Sequence, residues 1–318
     1  MKKYHIILVL SVLILLGVYF LFNSSFYSEL FSNKGSITSG TNDNGKREDG
    51  NTIAYGLKNV NGENIDNGSV LNSENNEVTV YVSLDHNINE DREYGLLVFE
   101  DYKQKKFKVE NNEQELNKYF FEMRPRSSLD IKVSAPIKSN SSELTFLLVK
   151  KPEYKLKEND LNRAAVLEEV LSMRYSINKT VSTSKEELKE GKSKAIKRDG
   201  LNDYLFVTNS TEKLQFIFTE TEGEKLTLSA GNDTNTEIRY AILALKDWEQ
   251  DIIIDNNEVL YTTVPPESRK IFDFKLPNVE RESNFQFIAL PFPYEVSSDN
   301  YMSQQAFSSF RIVIQNKE

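Results

Sequence analysis

Tyr94-Gly-Leu-Leu-Val-Phe-Glu-Asp-Tyr-Lys-Gln104 and Tyr240-Ala-Ile-Leu-Ala-Leu-Lys-Asp-Trp-Glu-Gln250 are two copies of one stretch. Each begins with tyrosine, runs through five mostly apolar residues and one charge, and ends in Asp-aromatic-x-Gln. The likeness extends outward. At an offset of 146 (240 − 94), Val80 pairs with Leu226, Val82 with Leu228 and Ser83 with Ser229. A small deletion then changes the offset to 141 (266 − 125). There Pro125 meets Pro266, Pro136 meets Pro277, Phe146 meets Phe287 and Pro152 meets Pro293. Ser172-Met-Arg-Tyr175 resembles Ser309-Phe-Arg-Ile312. A fixed long period means duplicated structural units.

The units read as β-rich. Val78-x-Val80-x-Val82, Leu226-x-Leu228-x-Ala230, Ile131-x-Val133 and Phe272-x-Phe274-x-Leu276 alternate with the period of a half-buried strand. Tyr94–Phe99 and Leu144–Val149 are apolar on both faces, as are Tyr240–Leu245 and Phe285–Leu290. Central strands covered on both sides have this composition. About seven strands are predicted per unit. The first set falls near 53–58, 76–84, 93–101, 105–110, 128–134, 143–150 and 172–178. The second falls near 203–208 with 213–219, then 224–230, 237–246, 251–255, 270–276, 284–291 and 308–315. Short strands between Asn-, Asp-, Ser- and Gly-rich turns predict an all-β fold. Two tandem immunoglobulin-like or fibronectin-like antiparallel β-sandwiches fit the strand count. That resemblance rests on pattern, and the antibody-type Cys–Trp–Cys marks are absent.

Asp160–Leu171 departs from the alternation. Its apolar spacing predicts a short helix, and 300–307 holds the same place in the second unit. Ser184-Lys-Glu-Glu187 is a capping box, predicting a helical turn over 185–190. The expected layout is a cytoplasmic N-terminus (1–5), a signal-anchor helix (6–26) and a flexible linker (27–52). Sandwich one (53–180, with its helix at 160–171), a charged linker (181–200) and sandwich two (201–318) follow.

Ile6–Phe22 is apolar but for Ser11 and Gly17, and Ile6–Phe26 is long enough to span a bilayer. Lys2 and Lys3 precede it and the next basic residue is Lys34. The positive-inside bias places the N-terminus in the cytoplasm and the rest outside. The competing reading is a cleaved signal peptide, giving a secreted protein, but no Ala-x-Ala-like site follows. With no Leu-Pro-x-Thr-Gly signal in the sequence, anchoring is expected from this segment.

The chain has 318 residues and no cysteine. Disulfides, thiolate metal sites and a thiol nucleophile are therefore excluded. Lack of cysteine together with abundant Lys, Asn, Glu, Ile and Ser points to the envelope of a Gram-positive bacterium. The net charge of −9 argues against nucleic acid as a partner, because phosphate binding needs clustered cations. The histidines are His5 and His86. One imidazole downstream of the apolar segment rules out two-histidine chemistry in a monomer, and a loop His86 is expected to be solvated. No cofactor is implied.

Three sets of residues merit weighing as sites. Asp101, Tyr102 and Gln104 with Asp247, Trp248 and Gln250 read first as turns whose aspartate caps its own backbone. The alternative is a ligand platform, an aromatic flanked by polar groups, as carbohydrate binders use. Asp85, Asn87 and Asp91, with Asp233, Asn235 and Glu237, form two oxygen-rich loops that are weak calcium candidates. Their spacing matches no calcium motif, so polar turns are the plainer reading. Lys192–Arg198 is a small basic run, read as solvated linker or as a contact for an anionic polymer or headgroup. No P-loop, Gly-x-Ser-x-Gly or His-Glu-x-x-His motif is present.

The expected function is non-enzymatic: an interaction scaffold whose partners are other envelope or membrane proteins. A binding module for glycan or cell-wall polymer, centred on Tyr102 and Trp248, is the alternative. A carboxylate-dependent glycan hydrolase comes third, and would need two carboxylates about 5–10 Å apart in a cleft.

Overall fold

Apolar residues at every second position make Glu77–Asn87 a strand with one buried face. Val78, Val80, Val82 and Leu84 point inward, with partly exposed residues between them. It pairs antiparallel with Thr52–Lys58 on one side and Ser127–Pro136 on the other. A second sheet faces this one. Its central strand, Arg92–Glu100, lies between Glu143–Lys150 and Lys118–Met123, and Val170–Ile177 pairs beyond Glu143–Lys150. Val80, Val82 and Val133 of the first sheet share a core with Leu96, Val98, Phe146 and Leu148 of the second.

The computed structural model describes residues 51–317, apart from 111, 113, 178–187, 253, 255 and 256. The expected membrane span at 6–26, the residues before it, nearly all of the linker and the first half of the expected helical turn at 185–190 lie outside the described residues. The second half, 188–190, is not helical, and Glu190 forms a β-bridge to Tyr261 instead.

The arrangement recurs in the second half. Lys225–Asn232 pairs with Leu205–Thr208 and Ser268–Lys275. Ile238–Lys246 lies between Ser283–Pro291 and Val259–Val264, with Ile312–Gln315 alongside Ser283–Pro291. Leu228, Ile242, Phe272, Phe274 and Phe287 fill its core. The register recurs too: Leu148 opposes Leu96, and Ala289 opposes Ile242. Short parallel pairings, Val70–Leu71 with Val170–Ile177 and Thr219–Thr221 with Ile312–Gln315, close one edge of each facing sheet.

The fold is thus nearly all β. The described helix, α1 (Leu161–Glu168), starts where Asp160 accepts a hydrogen bond from the Arg163 amide. It ends earlier than the spacing predicts, because Val170 and Leu171 are buried as the start of the next strand. A 3₁₀ turn at Tyr301–Gln304, capped by Asn300, holds the matching place in the second half.

Three expectations are corrected. Lys118–Met123 and Val259–Val264 are strands that the alternation did not reveal. The expected strand at 213–219 pairs only from Thr219 onward. Part of the expected linker at 181–200 is an edge strand: Ala195–Lys197 pairs with Ser268–Lys275, where Lys194 donates to Asp273 at 3.0 Å. An open sheet edge offers unpaired backbone groups, and this segment supplies the partner.

Residues 50–318 form one compact unit. Leu97, Phe99, Leu147 and Val149 leave the first core and meet Ala241, Leu243, Leu245, Ile288 and Leu290, which leave the second. The strands that are apolar on both faces bury one face in their own sandwich and the other in this junction.

Candidate functional site

The repeated Asp-aromatic pair sits at the edge of the junction. Asp101 and Tyr102 have φ of +47° and +66°, and Asp247 and Trp248 have +45° and +68°. Each pair is a two-residue hairpin loop, closed by Glu100 opposite Lys103 and by Lys246 opposite Glu249. Two central residues with positive φ define the type I′ turn, whose twist matches the flanking strands. An aromatic residue pays strain there and must be held. The aspartates do the holding. Asp101 Oδ1 accepts from the Ser142 and Glu143 amides, each at 3.0 Å. Asp247 Oδ1 accepts from the Asn284 amide at 2.8 Å.

Both rings therefore point between the halves. Tyr102 is 2% exposed and Trp248 3%. Neither forms a solvent-facing platform. The glutamines that follow them close on one another. The Gln104 amide donates to Gln250 Oε1, and the Gln250 amide donates to Gln104 Oε1, both at 2.7 Å. Gln104 Nε2 donates to the Trp248 carbonyl at 2.8 Å, and Gln250 Nε2 to the Tyr102 carbonyl at 2.9 Å. Each residue meets its own counterpart, as in the isologous contact of a two-fold dimer.

Behind each ring lies a buried arginine. Arg174 donates Nε and Nη2 to Glu143 Oε1 at 3.0 and 2.9 Å. Its Nη1 reaches into the second half, to the Pro291 and Gln305 carbonyls at 2.7 and 3.2 Å. The Tyr102 hydroxyl donates to Glu143 Oε2 and accepts from the Tyr294 amide at 2.9 Å. Arg311 mirrors Arg174. It donates to the Lys150, Lys151, Leu167 and Tyr154 carbonyls of the first half, at 2.8–3.4 Å. Its guanidinium lies 4.5 Å over the Trp248 ring. Asn284 stands where Glu143 stands in the first half, so Arg311 has no carboxylate, and its Nε finds no partner. Trp248 Nε1 donates to the Pro152 carbonyl at 2.7 Å, and Asn284 Nδ2 to the same oxygen at 2.9 Å.

Burial sets the protonation of these groups. It pushes the Tyr102 hydroxyl well above its ordinary range, and the Glu143 charge adds to that. Burial likewise raises Asp101 and pulls Arg311 down to about 9. Arg311 still carries its charge at neutral pH. Burial also acts to raise Glu100, but Ser141, Lys105 and the Lys138 amide hold it below the usual carboxylate range. Every one of these groups faces protein, which suits a structural lock.

The histidine and the oxygen-rich loops behave differently from expectation. His86 is fully buried at the end of a strand, not solvated in a loop. Its Nδ1 lies 2.9 Å from the Tyr94 hydroxyl and its Nε2 2.7 Å from the Glu90 carbonyl. The carbonyl can only accept, so Nε2 is the donor in that contact. Asn232 does the same work in the second half, donating to the Thr236 and Val264 carbonyls at 2.7 and 3.0 Å. Asp85 and Asn87 lie in the Glu77–Asn87 strand, and Asp233 bonds to the Tyr204 hydroxyl. Asp91, Asn235 and Glu237 stay in the loops. Among the described residues, no three acidic or histidine side chains gather as metal ligands. Of the Lys192–Arg198 run, Lys194 and Lys197 are paired with Asp273 and Glu212.

Glu143, Arg174, Asn284 and Arg311 were not singled out from the sequence. One signal pointed to the arginines: each is the lone charge in the matched Ser-x-Arg stretch, Arg174 within the Val170–Ile177 strand and Arg311 immediately before the Ile312–Gln315 strand.

No family model matches the chain, and no curated protein does. Solved structures match over much of its length, at low identity. The Escherichia coli chaperone DraB is 11% identical, covering 83% of this chain and 98% of that one, with a TM-score of 0.24. The C-terminal domain of the Streptococcus agalactiae AgI/II polypeptide BspA is 8% identical, covering 83% and 100%, with a TM-score of 0.22. Red sea bream transglutaminase is also 8% identical, with a TM-score of 0.22, and this chain spans 31% of its length. Scores this low carry no argument from those proteins to this one.

Proposed function

We propose that this protein is a non-enzymatic interaction scaffold, anchored by its N-terminal segment and displayed outside the membrane of a bacterial cell. The observation that carries the reading is the reciprocal lock between the two halves. Two buried arginines, two glutamines and two aromatic turns join two sandwiches into one unit. That arrangement fixes the relative placement of distant surfaces, which is what a scaffold supplies. The glycan-platform reading depended on exposed rings at 102 and 248, and the burial of both withdraws its support.

The test is affinity capture of the full chain from bacterial membranes, with identification of co-purifying proteins. Recovery of one or more envelope proteins in stoichiometric amounts supports the reading. Recovery of none, with retention on purified cell wall instead, overturns it.

A further inference from the structure

Among the described residues, the two facing sheets differ at their outer edge. In the second half, Val259–Val264 carries no charge, and the chain covers it. Glu190 bridges to Tyr261 in parallel, the Gly191 amide donates to the Tyr261 carbonyl at 2.9 Å, and the Thr263 amide donates to Glu190 Oε1 at 3.1 Å. The first-half counterpart is Lys118–Met123. Phe120 opposes Gly95 as Tyr261 opposes Ala241, so Phe120 and Glu122 hold the outward positions of Tyr261 and Thr263. No described residue bonds outward to the Phe120 or Glu122 backbone. An open edge carries a row of unpaired donors and acceptors, and an added strand completes it.

We propose that this edge takes the same edge of a second copy of this chain, paired antiparallel about Phe120. The strand is self-complementary in that register only. Lys118, Phe120 and Glu122 share one face. Pairing Phe120 with its own copy sets Lys118 opposite Glu122 twice, and the outward backbone groups of 118, 120 and 122 then face each other as hydrogen-bonded pairs. Parallel pairing would set lysine against lysine. Opposite charges directly across a pair attract and like charges repel, so the ends fix orientation as well as register. Glu122 is exposed and free to reach a second chain. Lys118 contacts Glu249 at 3.0 Å and the Asp247 carbonyl at 2.8 Å within its own chain, and Glu122 of the second copy would share its charge with these partners. A six-residue edge is a small contact, and association is weak.

The experiment is sedimentation of the full chain in mild detergent over a wide concentration range. A monomer–dimer equilibrium is expected. Glu122→Lys should weaken it roughly tenfold, because two pairs per dimer turn from attractive to repulsive. Glu237→Lys, the same charge change on an exposed loop of the other half, should leave it unchanged. Amide hydrogen exchange at Phe120 and Glu122 should slow as concentration rises. A monomer throughout overturns the proposal, as does a dimer indifferent to Glu122→Lys. Protection of those two amides by cell extract but not by the protein's own concentration also overturns it, by assigning the edge to a foreign strand.

Discussion

The first-half and second-half ends of the junction solve one packing problem with different chemistry. At one end, Tyr102, Glu143 and Arg174 form a neutralised, fully hydrogen-bonded set. At the other, Trp248, Asn284 and Arg311 leave a buried cation held only by carbonyl dipoles and an indole face. The contrast teaches that the geometry of the lock does not require the ion pair. Main-chain carbonyls borrowed from the opposite half are common to both ends. The carboxylate is an addition to one of them.

That comparison can be broken at its strongest point. Glu143→Ala strands Arg174 in a dry site, and loss of one member of a buried pair costs about 3–5 kcal/mol. Asn284→Ala removes an amide whose Oδ1 already lacks a partner, and costs about 1–3 kcal/mol. Denaturant midpoints of the two variants should rank in that order; equal losses would mean that the ends do not differ as described. Trp248→Phe keeps an aromatic face under Arg311 but deletes the Nε1 bond to Pro152, and should cost about 1–3 kcal/mol. Gln104→Ala and Gln250→Ala should be non-additive, with a coupling of about 0.5–3 kcal/mol in a double-mutant cycle. Additive losses would show that the reciprocal amide contacts act independently.

The smallest effect is one of pH. Glu100, at the place of Lys246 in the other half, is held below the usual carboxylate range when folded. An acid whose folded pKa is depressed contributes stability above its unfolded pKa, about 4.3 for glutamate, and loses that contribution as pH falls through the folded value. Unfolding followed between neutral pH and about pH 3 should therefore be less steep in Glu100→Gln than in the natural chain. An unchanged slope would remove Glu100 from the account.

Much of this was legible in the residues. The duplicated period carried through to the backbone, for positive φ recurs at Arg126 and Glu267 and at Lys151 and Phe292, each 141 apart (267 − 126, 292 − 151). Alternation located the strands with one buried face. Lys118–Met123 (KYFFEM) escaped notice because three consecutive aromatics obscure the alternation, and Val259–Val264 because threonines stand where apolar residues would mark the face. The junction was half visible. Strands apolar on both sides announced a cover for each face, but composition does not say that the cover is the other copy. Nor does it say which way an aspartate-aromatic turn aims its ring. Type I′ geometry decides that, and it depends on the strand 41 or 37 residues downstream that the aspartate reaches.

The reciprocal contact of Gln104 with Gln250 has a consequence for how the molecule can change. Were the two halves separate identical chains, one codon would set both ends of the contact, and every substitution would appear twice. Joined in one polypeptide, each end has its own codon. A glutamate can be kept at 143 while an asparagine occupies 284, and one edge strand can keep its charges while its twin is strapped over. Covalent linkage has turned a symmetric handshake into two positions that can be inherited, and altered, one at a time.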